Sequence, residues 1–93
     1  MGQERKYSLG GPQIRAGRSL LGWTAEDLSR HSAVSLRTIR RAELAGHQTS
    51  LTPANELAIR RALETAGVEI IEENGGGPGV RLRKRQRRKT PKD

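Results

Sequence analysis

The chain contains no cysteine and no phenylalanine, and Trp23 and Tyr7 are its only aromatic residues besides the histidines His31 and His47. Without cysteine, neither a disulfide framework nor a thiolate metal site can form. Two histidines with no spaced carboxylate set make no metal site either, so neither a metal nor any other cofactor is expected. With so few aromatic rings the core must be built from Leu, Ile, Val and Ala, which suits a small helical bundle. No apolar run approaches the roughly 20 residues of a membrane-spanning helix. The charged, Gly-containing N-terminus does not read as a signal peptide. The expectation is a soluble cytoplasmic protein with no membrane partner. There is no nucleophile–base pair to suggest an enzyme, and nothing resembles a module for a small-molecule ligand.

Positive charge, by contrast, is abundant. The 93 residues carry a formal net charge of +8, and it is unevenly spread. Arg81, Arg83, Lys84, Arg85, Arg87, Arg88, Lys89 and Lys92 face only Asp93 over residues 81–93, whereas residues 1–80 are nearly neutral. A basic ending of this kind favours polyanions through counterion release. A membrane surface fits less well, because the run has no apolar face to bury. Charge alone does not separate DNA from RNA.

Punctuation along the chain predicts four helices and a hairpin. Residues 1–11 are read as a flexible N-terminus. A first helix is expected over about 12–21, with Ile14, Ala16, Leu20 and Leu21 inward and Gly22 as its stop. Thr24 followed by Asp27 is a capping-box pattern, with Trp23 and Leu28 in hydrophobic-staple positions, and opens a second helix over about 25–31. After the turn at 32–34, Ser35 caps a third helix running to about Ala45, with Val34 and Ile39 as its staple and Gly46 as its end. Thr52 caps a fourth helix with Pro53 at its first position. There Leu57, Ala58, Ala62, Leu63 and Ala66 form the core stripe, Arg60 and Arg61 lie outside, and Gly67 ends the helix. The period then drops to two: VEIIEE and VRLR read as strands around the turn segment NGGGPG, with glutamates facing arginines across the pair. NGGGPG is not a phosphate loop, since it lacks both a following helix and the Gly-Lys-Ser/Thr ending. Residues 84–93 are expected to be disordered when free.

Two short helices joined by a tight turn, the second carrying Arg37, Arg40 and Arg41 in its first two turns, have the shape that enters a DNA major groove. The alternative for those arginines is the solvated face of an amphipathic helix. Residues 12–66 resemble the phage lambda repressor-like helix-turn-helix domain, the Cro or xenobiotic-response-element (XRE) class. RSLLGW from Arg18 looks like the end of that family's first helix, TAEDLS like its second-helix opening, and AVSLRTIRRAE like its turn and recognition helix. Ala25 and Ala33 stand where the family usually has Gln and Gly, and Gly46 falls one residue later than in many members. The ending VEIIEE-NGGGPG-VRLR looks like a tail found on some small bacterial regulators of this class.

The resemblance implies a mainly α fold, a four-helix lambda repressor-like DNA-binding domain over 12–66. A C-terminal β-hairpin over 67–83 would serve dimerisation, followed by the basic tail of 84–93. It implies base reading by Leu36, Arg37 and Arg41, with an Arg fork on guanine O6 and N7 and Leu36 against a thymine methyl. Arg40 joins this face, reaching phosphate or remaining in water. Backbone contacts fall to Thr24, Ser35, Thr38, His47, Gln48 and Thr49, although Ser35 has an equal role as a cap and 47–50 could be an ordinary surface loop. His31 could do no more than complement the dipole of its helix. Arg18 and Glu43 would form a buried structural ion pair. Dimerisation is assigned to the fourth helix with Val68, Ile70 and Ile71, because Ile71 falls off the inward alternation. The expected function is a sequence-specific transcriptional regulator, a repressor with possible autoregulation, that binds double-stranded inverted-repeat operators as a homodimer in the bacterial nucleoid. The rival readings are an RNA- or protein-binding adaptor that works through its basic tail, and an antitoxin-type operon autorepressor. For the tail itself three roles stay open: a phosphate-contacting arm, a minor-groove insert and a solubilising run.

Overall fold

Three of the four helices among the described residues begin where a short polar side chain satisfies a backbone N–H that the first turn leaves without a partner. The computed structural model describes residues 9–83, with α1 at Gly11–Leu21, α2 at Ala25–Ser32, α3 at Leu36–Leu44 and α4 at Pro53–Thr65. In α2 the Asp27 N–H donates to the Thr24 hydroxyl (3.0 Å) and the Thr24 N–H donates to the Asp27 carboxylate (2.9 Å), a complete capping box. Ser35 accepts from the Thr38 N–H and Thr52 from the Asn55 N–H, each at 3.1 Å, and Pro53 opens α4. α1 has no hydroxyl at its start. Instead Gln13 accepts from the Gly10 N–H at 2.9 Å.

The chain then forms β1 (Val68–Ile71) and β2 (Gly79–Leu82), paired antiparallel with Val68 opposite Leu82 and Glu69 opposite Arg81. The expected cross-strand charge pair forms, with Arg81 3.1 Å from Glu69. α1 lies at the centre, packed on α3, α4 and both strands, while α2 packs on α3 and α4. Leu9, Ile14, Leu28, Ile39, Ile59, Leu63 and Val68 are fully buried. The result is a mainly helical domain of four helices and a two-stranded hairpin.

Several expectations need correction. Residues 9–11 are not flexible: Leu9 is in the core, its N–H donates to Glu56 at 2.9 Å, and the Gly11 N–H donates to the Gly46 carbonyl at 2.9 Å. The inner face of α1 is Gln13, Ile14 and Gly17, while Ala16 and Leu20 are exposed. Glycine marks close helix approach there. A β-carbon at Gly11 would stand 2.3 Å from the Ala45 carbonyl oxygen, and one at Gly17 would stand 3.2 Å from Leu63. In α4 the buried face is Ile59, Ala62 and Leu63, a stripe at spacings of three and four, and Leu57 falls on the far side. Arg60 is not an outer residue. It is half-buried and bridges Glu56 (3.8 Å) to Glu72 (3.1 Å), tying α4 to the end of β1. Arg61 is exposed. Val68 and Ile70 belong to the chain's own core and offer no dimer surface, while Ile71 stays half-buried. A lone hairpin is marginal in water; this one is held because its inner face completes the core. The expectations for the first eight residues and for the basic tail of 84–93 fall outside the described residues.

Candidate nucleic-acid interface

The face of interest begins with the turn between α2 and α3. Ala33 adopts a left-handed conformation (φ 62°), the conformation glycine takes most easily. Serines satisfy the turn around it. Ser29 donates to the Val34 carbonyl at 2.6 Å, Ser32 donates to the Leu28 carbonyl at 2.7 Å, and the Val34 N–H donates to Ser32 at 3.2 Å. Val34 and Ile39 are both buried, as the staple reading required, so the angle at which the chain enters α3 is set by packing.

α3 is anchored along one side and at its end by α1. Ile39, Ala42 and Glu43 are buried. Arg18 makes two hydrogen bonds to the Glu43 carboxylate, 2.7 Å from Nε and 2.8 Å from Nη2, and a third at 3.0 Å to the Trp23 carbonyl. Side-chain exposure is 22% for Arg18 and 8% for Glu43. The hydrogen-bonded carboxylate pushes the Arg18 pKa above its ordinary value, despite an opposing contribution from burial. Arg15 donates to the Glu43 carbonyl, satisfying one of the last carbonyls of α3. The family resemblance points to the Arg18–Glu43 pair but not to Arg15 or Gln13. The latter is a buried amide that also donates to the carbonyls of Ile71 (3.1 Å) and Gly79 (3.2 Å) at the mouth of the hairpin. A glutamine three residues after a glycine is the only sequence trace of that role.

The opposite side of α3 faces water. Arg37 and Arg41 are exposed one turn apart, and neither has an acidic partner among the described residues. Arg40 also lies on this side, but its guanidinium sits 3.3 Å from Glu26 in the first turn of α2. Leu36 is half-buried at the start of the helix. Leu44, at the other end, is 86% exposed and was not singled out by the sequence. The remaining expected contacts divide. Thr24, Ser35 and Thr38 sit at the first turns of α2 and α3 with their groups engaged in capping, the Ser35 hydroxyl also donating to Thr38 at 2.9 Å. His47 and Gln48 are exposed in the loop after α3, whereas the Thr49 hydroxyl is turned inward to the Leu9 carbonyl at 3.5 Å. His31 lies in the last turn of α2 and stacks on Trp23, with ring centroids 4.2 Å apart and planes within 4°.

The arrangement presents, on one helix face, two guanidinium groups without an acidic partner among the described residues. Each is a planar fork of donors suited to phosphate or guanine edges. Among the described residues no group of three or more His, Asp or Glu is placed to hold a metal ion, and no helix is long and apolar enough to cross a membrane. No family model matches the chain, and no curated protein matches it.

Proposed function

We propose that this chain is a sequence-specific DNA-binding transcriptional regulator of the lambda repressor-like class. It acts as a homodimer that sets one α3 per subunit into successive major grooves, about 34 Å apart, on an inverted-repeat operator. The observation that carries this reading is the two-sided character of α3: Ile39, Ala42 and Glu43 are buried against α1 and the core, while Arg37 and Arg41 are exposed with no acidic partner among the described residues. On the solvated faces of α2 and α3, Arg30 pairs with Asp27 and Arg40 with Glu26. Arg37, Arg41 and Arg61 of α4 find no such partner among the described residues, but only Arg37 and Arg41 share one helix face, and these are the two that the family resemblance assigns to base edges. Leu36 opens the same helix beside them, and the exposed His47 and Gln48 lie at its far end, in reach of phosphate on this reading.

Repression follows by occupying a promoter, and control comes through protein concentration and cooperative operator occupancy. The homodimer uses a surface other than Val68 and Ile70.

The test is a gel shift on a duplex selected in vitro from a random pool by the wild-type chain, repeated with Arg37→Ala/Arg41→Ala. Both residues are exposed, so the variant is expected to keep its circular dichroism. Losing two bidentate base contacts should weaken binding roughly 30-fold to 10⁴-fold. Unchanged affinity would remove the assignment of α3 as the reading helix.

A further inference from the structure

We infer that Glu26 is a selectivity residue of this interface, holding Arg40 away from the phosphate backbone and so suppressing sequence-independent binding. The inference rests on the DNA-binding reading above and concerns how that surface separates its target from other duplexes.

The three arginines of α3 are not equivalent. Arg37 and Arg41 have no acidic partner among the described residues, but Arg40 lies 3.3 Å from the Glu26 carboxylate. The two side chains are 59% and 57% exposed, so the pair lies at the surface and contributes little to the fold. A pair of this kind weighs about 1.4- to 5-fold in an equilibrium, enough to bias where the Arg40 guanidinium rests.

A phosphate gains little at this position. If it meets Arg40 where the side chain now lies, it stands beside the Glu26 carboxylate and is repelled. If Arg40 swings out to reach it, the ion pair is lost. The start of α2 gives the same picture. Helix N-termini ordinarily attract phosphate, but here the Asp27 carboxylate already accepts from the Thr24 N–H, and Glu26 adds a second negative charge in the same turn. That side of the site is therefore electrostatically quiet. Among the arginines of α3, attraction is left to Arg37 and Arg41, and poor partners are disfavoured by a built-in repulsive element.

The experiment measures affinity against salt for the full chain, on a duplex selected in vitro and on its scrambled counterpart. The proteins are wild type, Glu26→Gln, Arg40→Gln and the double variant, all checked by circular dichroism. Glu26→Gln should raise affinity for the scrambled duplex about two- to five-fold. It should also steepen the slope of log affinity against log salt by about 0.9, the signature of one added phosphate contact. The ratio of selected to scrambled affinity should narrow. Arg40→Gln should leave the slope unchanged when Glu26 is present, and remove the added slope when Glu26 is Gln. The inference is overturned if Glu26→Gln changes neither slope nor scrambled affinity, or if Arg40→Gln lowers the slope equally in both backgrounds. Absence of salt-dependent duplex binding by the wild type would overturn the functional reading and this inference with it. Wild-type binding with an unaltered Glu26→Gln overturns this inference alone.

Discussion

Replacing Glu43 by Leu should unlock α3 from α1. Leucine roughly fills the space but leaves the Arg18 guanidinium without the two hydrogen bonds, at 2.7 and 2.8 Å, that it makes to the carboxylate. An exposed ion pair would be worth about 0–1 kcal/mol. Here the acidic partner is 8% exposed and the basic one 22%, which moves the pair into the regime where removing one member costs about 3–5 kcal/mol. Partial access of water to Arg18, and its surviving bond to the Trp23 carbonyl, place the expected loss near the lower end, about 3 kcal/mol. For a domain of this size that corresponds to a fall in Tm of about 12–24 °C, measured by circular dichroism and by urea titration followed through the emission of Trp23. Arg18→Met should also destabilise, and the double variant Arg18→Met/Glu43→Leu should recover most of the loss, because no unpaired charge remains. A Glu43→Leu Tm within about 4 °C of wild type would mean the pair contributes under about 1 kcal/mol. A double variant as unstable as the sum of the singles would show that the two residues are not coupled. Either result refutes the account of how α3 is held.

Ala33→Gly should stabilise the domain by about 0.5–1 kcal/mol, because glycine relieves the left-handed strain at φ 62° and gives back part of the gain as chain entropy; a lower Tm would show that the turn is unstrained. The third expectation concerns acid. The Thr24 backbone N–H, and after it Arg30, holds the Asp27 carboxyl below its ordinary pKa. Its contribution is therefore present above the ordinary carboxylate range and lost as pH falls through the depressed folded-state value. The difference in urea midpoint between wild type and Asp27→Ala should shrink on acidification, and a gap that stays constant into strong acid would contradict that linkage.

Local chemistry was legible wherever a side chain acts on its own stretch of backbone. Thr24, Ser35 and Thr52 mark helix starts by themselves, because the donors they satisfy lie within three residues. The alternation of Val68 and Ile70 with Glu69 is likewise enough to place the strand and its charged face. Hydrophobic stripes were less safe. Leu57 and Leu20 have the composition of core residues, yet Ile59, Gly17 and Leu9 took the inner positions, because the inner face depends on which neighbour a helix meets. Glycine inside a helix is unfavourable on propensity alone; only the carbonyls around the end of α3 and the side chain of Leu63 reveal why no larger residue stands at Gly11 and Gly17.

The amino-acid order alone set the number of helices, the starts of α2, α3 and α4, and a hairpin with glutamates facing arginines, since each follows from interactions a few residues long. The joining of α1 to the end of α3 through Arg15, Arg18 and Gly11, the reach of Gln13 to the hairpin, and the division of arginines into the engaged Arg40 and Arg60 and the free Arg37 and Arg41 were decided by tertiary structure. The physical reason is that a charge is defined by what lies within about 4 Å of it, and in these cases the neighbour is a dozen or more residues away in the chain.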